Sequence, residues 1–316
     1  MRRSRRFAVA RDGTRIAWTS AGAGAPPVVL TDGIGCAGWI WTRLSPELAR
    51  ERRVIHWNYR GHGASGVPAD PERITLQECA RDLVTVLDAA RVERAVLVGH
   101  SMGVQVVLDA WRRAPRRVAG LVLVCGAPGR VLDTFHESTA LRTALPLARR
   151  LVDRWPELAR AGFRALVTAD VALDYALAFE VNRALLCRDD LLPYFEDLSK
   201  VDPALFVRLL ASAADHDATP WLPDVDVPTL VVAGARDAFT PMRLSVAMSQ
   251  AIRGSEVLVL PGGTHVGPLE HPELLAARVR AFLAARVPVA PPRSRARRPA
   301  ARAGAPRRRA ARGTRA

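Results

Sequence analysis

Three short stretches of this chain carry side chains able to do chemistry together: "GHSMG" (Gly99 to Gly103), "GARDAFTP" (Gly234 to Pro241) and "GGTHVGPLEHPE" (Gly262 to Glu273). A serine hydroxyl is a weak nucleophile until a base takes its proton, and a neutral histidine is suited to that task. Ser101 is the candidate nucleophile and His265 the candidate base. Asp237 is the candidate acceptor that holds the imidazole in one tautomer. The chemistry is acyl transfer, and the oxyanion it generates needs two preorganised amides. One is expected from Met102, directly after the serine. The other is expected from "TDGIGCAGW", where Gly33 and Gly35 let the backbone approach closely, and is assigned to Ile34. Asp133, shortly after the sixth expected strand, is a rival to Asp237.

The elements must bring these segments to one edge. Arg94 to Val98 is an apolar run suited to a buried parallel strand, whereas Val104, Val107, Leu108 and Trp111 recur at helical spacing. The chain therefore turns from strand to helix at Ser101, with Gly99 and Gly103 keeping Cβ atoms out of the convergence. This is the pattern of a nucleophile elbow, GxSxG. Strands are expected at Phe7 to Ala10 and Arg15 to Thr19, flanking the turn signal "RDGT". Others are expected at Pro27 to Thr31, Val54 to Tyr59, Ala95 to Gly99, Gly120 to Cys125, Thr229 to Ala233 and Glu256 to Leu260. Helical patterns lie between them at Ile40 to Arg50, Leu76 to Ala90, Val104 to Arg113, Met242 to Ile252 and Glu273 to Ala285. Thr75 and Glu78 form a capping box at the second of these. Such alternation predicts a parallel sheet covered on both faces. It fails between Pro128 and Asp226, where helical patterns such as Leu141 to Arg154 and Leu205 to Ala211 predict a helical insertion after the sixth strand.

With these motifs and "WNYRGHGASGVP", the chain over about residues 7 to 287 resembles the α/β-hydrolase fold family. The order Ser101, Asp237, His265 is the one this architecture uses. The resemblance implies a mostly parallel eight-stranded sheet with helices on both faces, a helical cap supplied by the insertion, and no metal or organic cofactor. The implied division is a core in two parts, 1–127 and 227–288, a cap at 128–226 and a tail at 289–316. Two positions depart from the family pattern: Asp32 stands where histidine usually precedes the oxyanion loop, and Asn58 where aspartate is common.

The net charge of +15 is concentrated at the ends, since ten arginines and no acid lie between Arg293 and Arg315. The tail lacks periodic apolar residues and is expected to be disordered, with nonspecific polyanion binding as its possible contribution. A nucleic-acid function is disfavoured, because no aromatic residues interleave the arginines. The start, "MRRSRRFAVA", has twin arginines but no apolar core of signal-peptide length, and no run approaches a membrane span. Cys36, Cys79, Cys125 and Cys187 have neither metal-ligand spacing nor the density of a disulfide scaffold. These features predict reduced thiols, a cytoplasmic location and a small-molecule substrate.

Among the remaining histidines, His62 and His100 are expected to brace loops, and His56 and His271 to be structural. His136 and His216 are expected to be solvated or capping, with substrate contact as the alternative. Phe135, Trp155 and Trp221 are candidate pocket residues, although aromatic residues at helical spacing also pack against one another. The leading expectation is a serine hydrolase of a small, largely apolar ester. The same triad could instead cleave a carbon-carbon bond or a lactone, or perform cofactor-free perhydrolysis. A non-catalytic binding protein and a polyanion-binding protein are the readings from other classes.

Overall fold

Alternate residues of the central strands point to opposite sides of the sheet, and both sides are apolar. Val29, Leu97, Leu121 and Val231 enter one core, whereas Val28, Val96, Val122 and Leu230 enter the other. A strand buried on both faces needs helices above and below it, and the computed structural model has that layered arrangement. It describes residues 4 to 287 except 134, 135 and 137. The arginine-rich tail lies outside the described residues.

The strands are β1 Arg6–Val9, β2 Arg15–Ala21, β3 Val28–Thr31, β4 Val54–Trp57, β5 Ala95–His100, β6 Val118–Val124, β7 Thr229–Gly234 and β8 Glu256–Leu260. They form one sheet in the order β1-β2-β4-β3-β5-β6-β7-β8. The pairs β1–β2 and β2–β4 are antiparallel, and every later pair is parallel. All eight expected strands are present.

Helices α1 Leu44–Ala49, α2 Leu76–Ala89 and α3 Met102–Arg113 cover the first half of the sheet. The single helix expected over Ile40 to Arg50 is instead a 3-10 turn, Trp39–Trp41, followed by the short α1. Thr75 caps α2 by accepting the Glu78 amide hydrogen at 3.1 Å.

Between β6 and β7 lie α4 Ala140–Arg154, α5 Pro156–Thr168, α6 Asp170–Tyr175, α7 Arg188–Leu198 and α8 Pro203–Asp215. A π-helical turn, Ala176–Glu180, follows α6 directly. The ends of this insertion meet at an isolated antiparallel bridge between Gly129 and Asp217. The Arg130 amide donates to the His216 carbonyl at 3.1 Å, and the Ala218 amide to the Pro128 carbonyl at 2.9 Å. After β7 come α9 Met242–Ala251, α10 Gly267–Glu270 and α11 Pro272–Arg286. No described helix is long and apolar enough to cross a membrane.

Candidate active site

Ser101 occupies the turn between β5 and α3 at φ 55° and ψ −123°, a strained conformation for a residue with a side chain. The neighbours explain how the chain tolerates it. A Cβ on Gly99 would lie 2.3 Å from the Gly103 carbonyl oxygen, and one on Gly103 would lie 2.6 Å from the carbonyl oxygens of Thr31 and Asp32. Strand, turn and helix can converge only with hydrogen at those two positions, and the convergence holds the hydroxyl at the carboxyl edge of the sheet.

His265 reaches Ser101 from the loop after β8, with its Nε2 2.9 Å from Oγ of Ser101. Its Nδ1 lies 3.0 and 3.1 Å from the two carboxylate oxygens of Asp237, on the loop after β7. Burial penalises the Asp237 charge, yet His265 and the Thr240 amide and hydroxyl more than offset it. The carboxyl is held below its ordinary range. Asp237 also accepts the Phe239 amide hydrogen at 2.9 Å, and the Phe239 ring stacks on the His265 imidazole at 4.7 Å between centroids. Three loops thus meet in one hydrogen-bonded line.

Other residues fix the loop that carries His265. The Glu270 carboxylate accepts the Thr264 amide at 2.6 Å, the Thr264 hydroxyl at 2.7 Å and, from the insertion, the Asn182 amide at 2.7 Å. His100 donates from Nε2 to the His265 carbonyl at 2.8 Å. Burial holds its imidazole down to about 3, so the ring is neutral.

The segment after β3 lies against the serine: a Cβ on Gly33 would lie 3.1 Å from Cβ of Ser101. Within this segment the Gly35 amide donates to Nε2 of His62, and the Cys36 amide to the Gly33 carbonyl. His62 therefore braces the loop. Asp32, the departure from the family pattern, is buried and accepts from Nε2 of His56 at 2.7 Å. Its carbonyl accepts the Tyr59 hydroxyl. Asn58 shapes the following turn by accepting the Ala64 amide hydrogen.

A cavity of about 450 Å³ opens at Ser101 and His265. Gly33, Ile34 and Trp39 line it from the core, and Tyr194, Phe195 and Leu198 from the insertion. Phe135 lies outside the described residues. Trp155 is half exposed with Arg154 over its ring, and Trp221 packs between Arg112 and His216. Neither tryptophan lines the cavity: Trp155 sits at the junction of α4 and α5, and Trp221 on a 3-10 turn, Thr219–Asp224. Asp133 pairs with Arg142 at 2.5 Å instead of with His265. His136 does line the cavity; His216 packs beside Gln105 and Trp221. Trp39, Phe195, Phe239 and Glu270 were missed in the sequence. The acid at position 270, five residues beyond His265 in "GPLEHPE", was a signal for one of them.

A profile of the alpha/beta hydrolase fold matches residues 26–272. The chain is 34% identical over 274 residues to the dihydrolipoyllysine-residue acetyltransferase component of the acetoin cleaving system of Pseudomonas putida. That match takes in 83% of this chain and 64% of the relative, so the chain spans less than two thirds of that protein. It is 26% identical to RutD of Agrobacterium fabrum, named a candidate carbamate hydrolase, over 83% of this chain and 94% of that one. Among solved structures, a hydrolase from Pseudomonas aeruginosa superposes with a TM-score of 0.71 at 27% identity, covering 89% of this chain and 99% of that one.

Proposed function

Because the chain belongs to the alpha/beta hydrolase fold family, we propose that it is a serine hydrolase that cleaves a small, largely apolar ester through an acyl-enzyme on Ser101. The observation that carries this reading is the unbroken line from Ser101 through His265 to Asp237, opening into an apolar cavity. His265 takes the Ser101 proton as Oγ attacks the acyl carbon, and returns it to the leaving alkoxide. Asp237 keeps the Nδ1 proton in place and stabilises the imidazolium that forms.

The oxyanion is assigned to the amides of Met102 and Ile34. Two features support the choice. Met102 opens α3, where free amide hydrogens and the helix dipole favour negative charge. The Gly35 amide already donates to His62 and the Cys36 amide to the Gly33 carbonyl, whereas Ile34 lines the cavity. In the second half-reaction His265 activates water, which releases the acid. Residues 128–226 act as the cap that shapes substrate choice, since half of the cavity wall comes from them.

The test is a panel of nitrophenyl acyl esters, lactones and diketones with the purified chain. Turnover of short or medium acyl esters, with an acyl group trapped on Ser101, supports the reading. Turnover confined to lactones or diketones would move the bond class, and none at all would leave a binding protein.

A further inference from the structure

Building on the hydrolase reading, the cavity wall raises a question of substrate chemistry. Among the described residues that line it, Glu180 is the only carboxylate. It ends the π-helical turn Ala176–Glu180, a distortion common at functional sites. Its side chain is only 12% exposed. Oε1 lies 3.1 Å from Nε2 of His136, while Oε2 is buried without a hydrogen-bond partner. A buried carboxylate oxygen in apolar surroundings is costly unless something donates to it.

The partner of Glu180 is itself held in place at a cost. His136 has φ 49°, a left-handed conformation rare outside glycine, and its amide donates to the Ala238 carbonyl at 2.9 Å. Its ring lies 5.6 Å from that of Phe239, which stacks on His265. The pair is thus connected through one aromatic ring to the candidate base, inside the same cavity as Ser101.

We propose that Glu180 is a specificity-determining residue whose free oxygen receives a hydrogen-bond donor carried by the substrate, a hydroxyl, amide N–H or ammonium on an otherwise apolar skeleton. The apolar wall takes the hydrocarbon, and Glu180 selects chains that place a donor at its depth. A site built to hydrogen-bond a donor rejects the analogue that lacks one, because its own acceptor is then left unpaired.

The test uses nitrophenyl esters of a graded series of acyl lengths, each with an ω-hydroxy, an ω-ammonio or an ω-methyl end. Kd is measured on the full-length Ser101→Ala protein and kcat/KM on the wild type. At the matching length the donor-bearing esters should bind about tenfold or more tightly than the methyl ester. Adding Glu180→Leu should bring that ratio close to one. Glu180→Gln, which keeps an acceptor but no charge, should weaken the ammonium preference more than the hydroxyl preference. A wild-type ratio within twofold at every length, or one unchanged by either substitution, overturns the proposal. Binding preference without turnover would overturn the ester-hydrolysis reading and leave this one standing.

Discussion

The imidazole of His100 donates to the main-chain carbonyl of His265, so the residue before the candidate nucleophile also anchors the loop of the candidate base. Burial keeps this ring neutral, its pKa falling from 6.5 to about 3. Between those values the unfolded chain binds a proton there and the folded chain does not. Stability must therefore fall as pH drops from 6.5 toward 3. Burial shifts His62 and His216 in the same direction. Melting temperature should decline across this acid range, and His100→Gln, which keeps a donor but cannot titrate, should show a shallower decline. Identical slopes would mean that His100 is not the buried neutral base described here.

Ser101→Ala removes the hydroxyl while leaving the buried core untouched, so the fold should survive. Ester turnover should drop by several orders of magnitude, on the order of 10⁶ where a triad serine is lost. A fluorophosphonate should add its mass to the peptide containing Ser101. Activity above a tenth of wild type, or labelling elsewhere only, would remove Ser101 from the mechanism.

Asp237→Asn should lower kcat by about 10⁴, since an amide at this position stabilises the wrong tautomer of His265. Asp133→Asn loses only a contact with Arg142 and should leave kcat within a small factor. Steady-state rates on one nitrophenyl ester decide between them, and the reverse ranking would transfer the acid role to Asp133.

Glu270→Ala strands the Thr264 amide and hydroxyl and the Asn182 amide, which the carboxylate accepts. The protein should melt at lower temperature. Because the loop of His265 loosens without losing the imidazole, kcat should fall by about 10- to 100-fold, well short of the loss in Asp237→Asn. A rate equal to wild type would show that Glu270 supports only the fold.

Much of the scaffold was legible because it is written in local periodicity. Runs such as Val96 to Val98 and the stripe of α2 report their burial through neighbours a few residues away. The Ser101, Asp237 and His265 loops were legible for a related reason, as each follows a recognisable strand end. The cavity wall was not. Trp39 and Tyr194 meet across 155 positions of chain with ring centroids 5.1 Å apart, and Trp155 points away, because the packing of α4 to α8 decides which aromatic faces inward. Nor did composition mark the His136 and Glu180 pair, which depends on a π-helical turn and a left-handed backbone meeting in space.

The bridge between Gly129 and Asp217 makes the insertion leave and rejoin the sheet through a single narrow neck, where a Cβ at position 129 would lie 2.6 Å from Cα of Asp217. Within the insertion, α8 belongs to the core, since Leu205, Leu209 and Ala213 are buried with Met102 and Val104, so residues 130–202 are the part that can grow, shrink or be exchanged with least disturbance to the strands that hold Ser101 and Asp237. Descendants of such a chain could acquire new substrates by replacing that contiguous stretch of gene, and an engineer could graft a foreign one between the neck and α8. Gly129 is the toll on that freedom: any larger side chain there would force the two ends apart and unfasten whatever had been inserted.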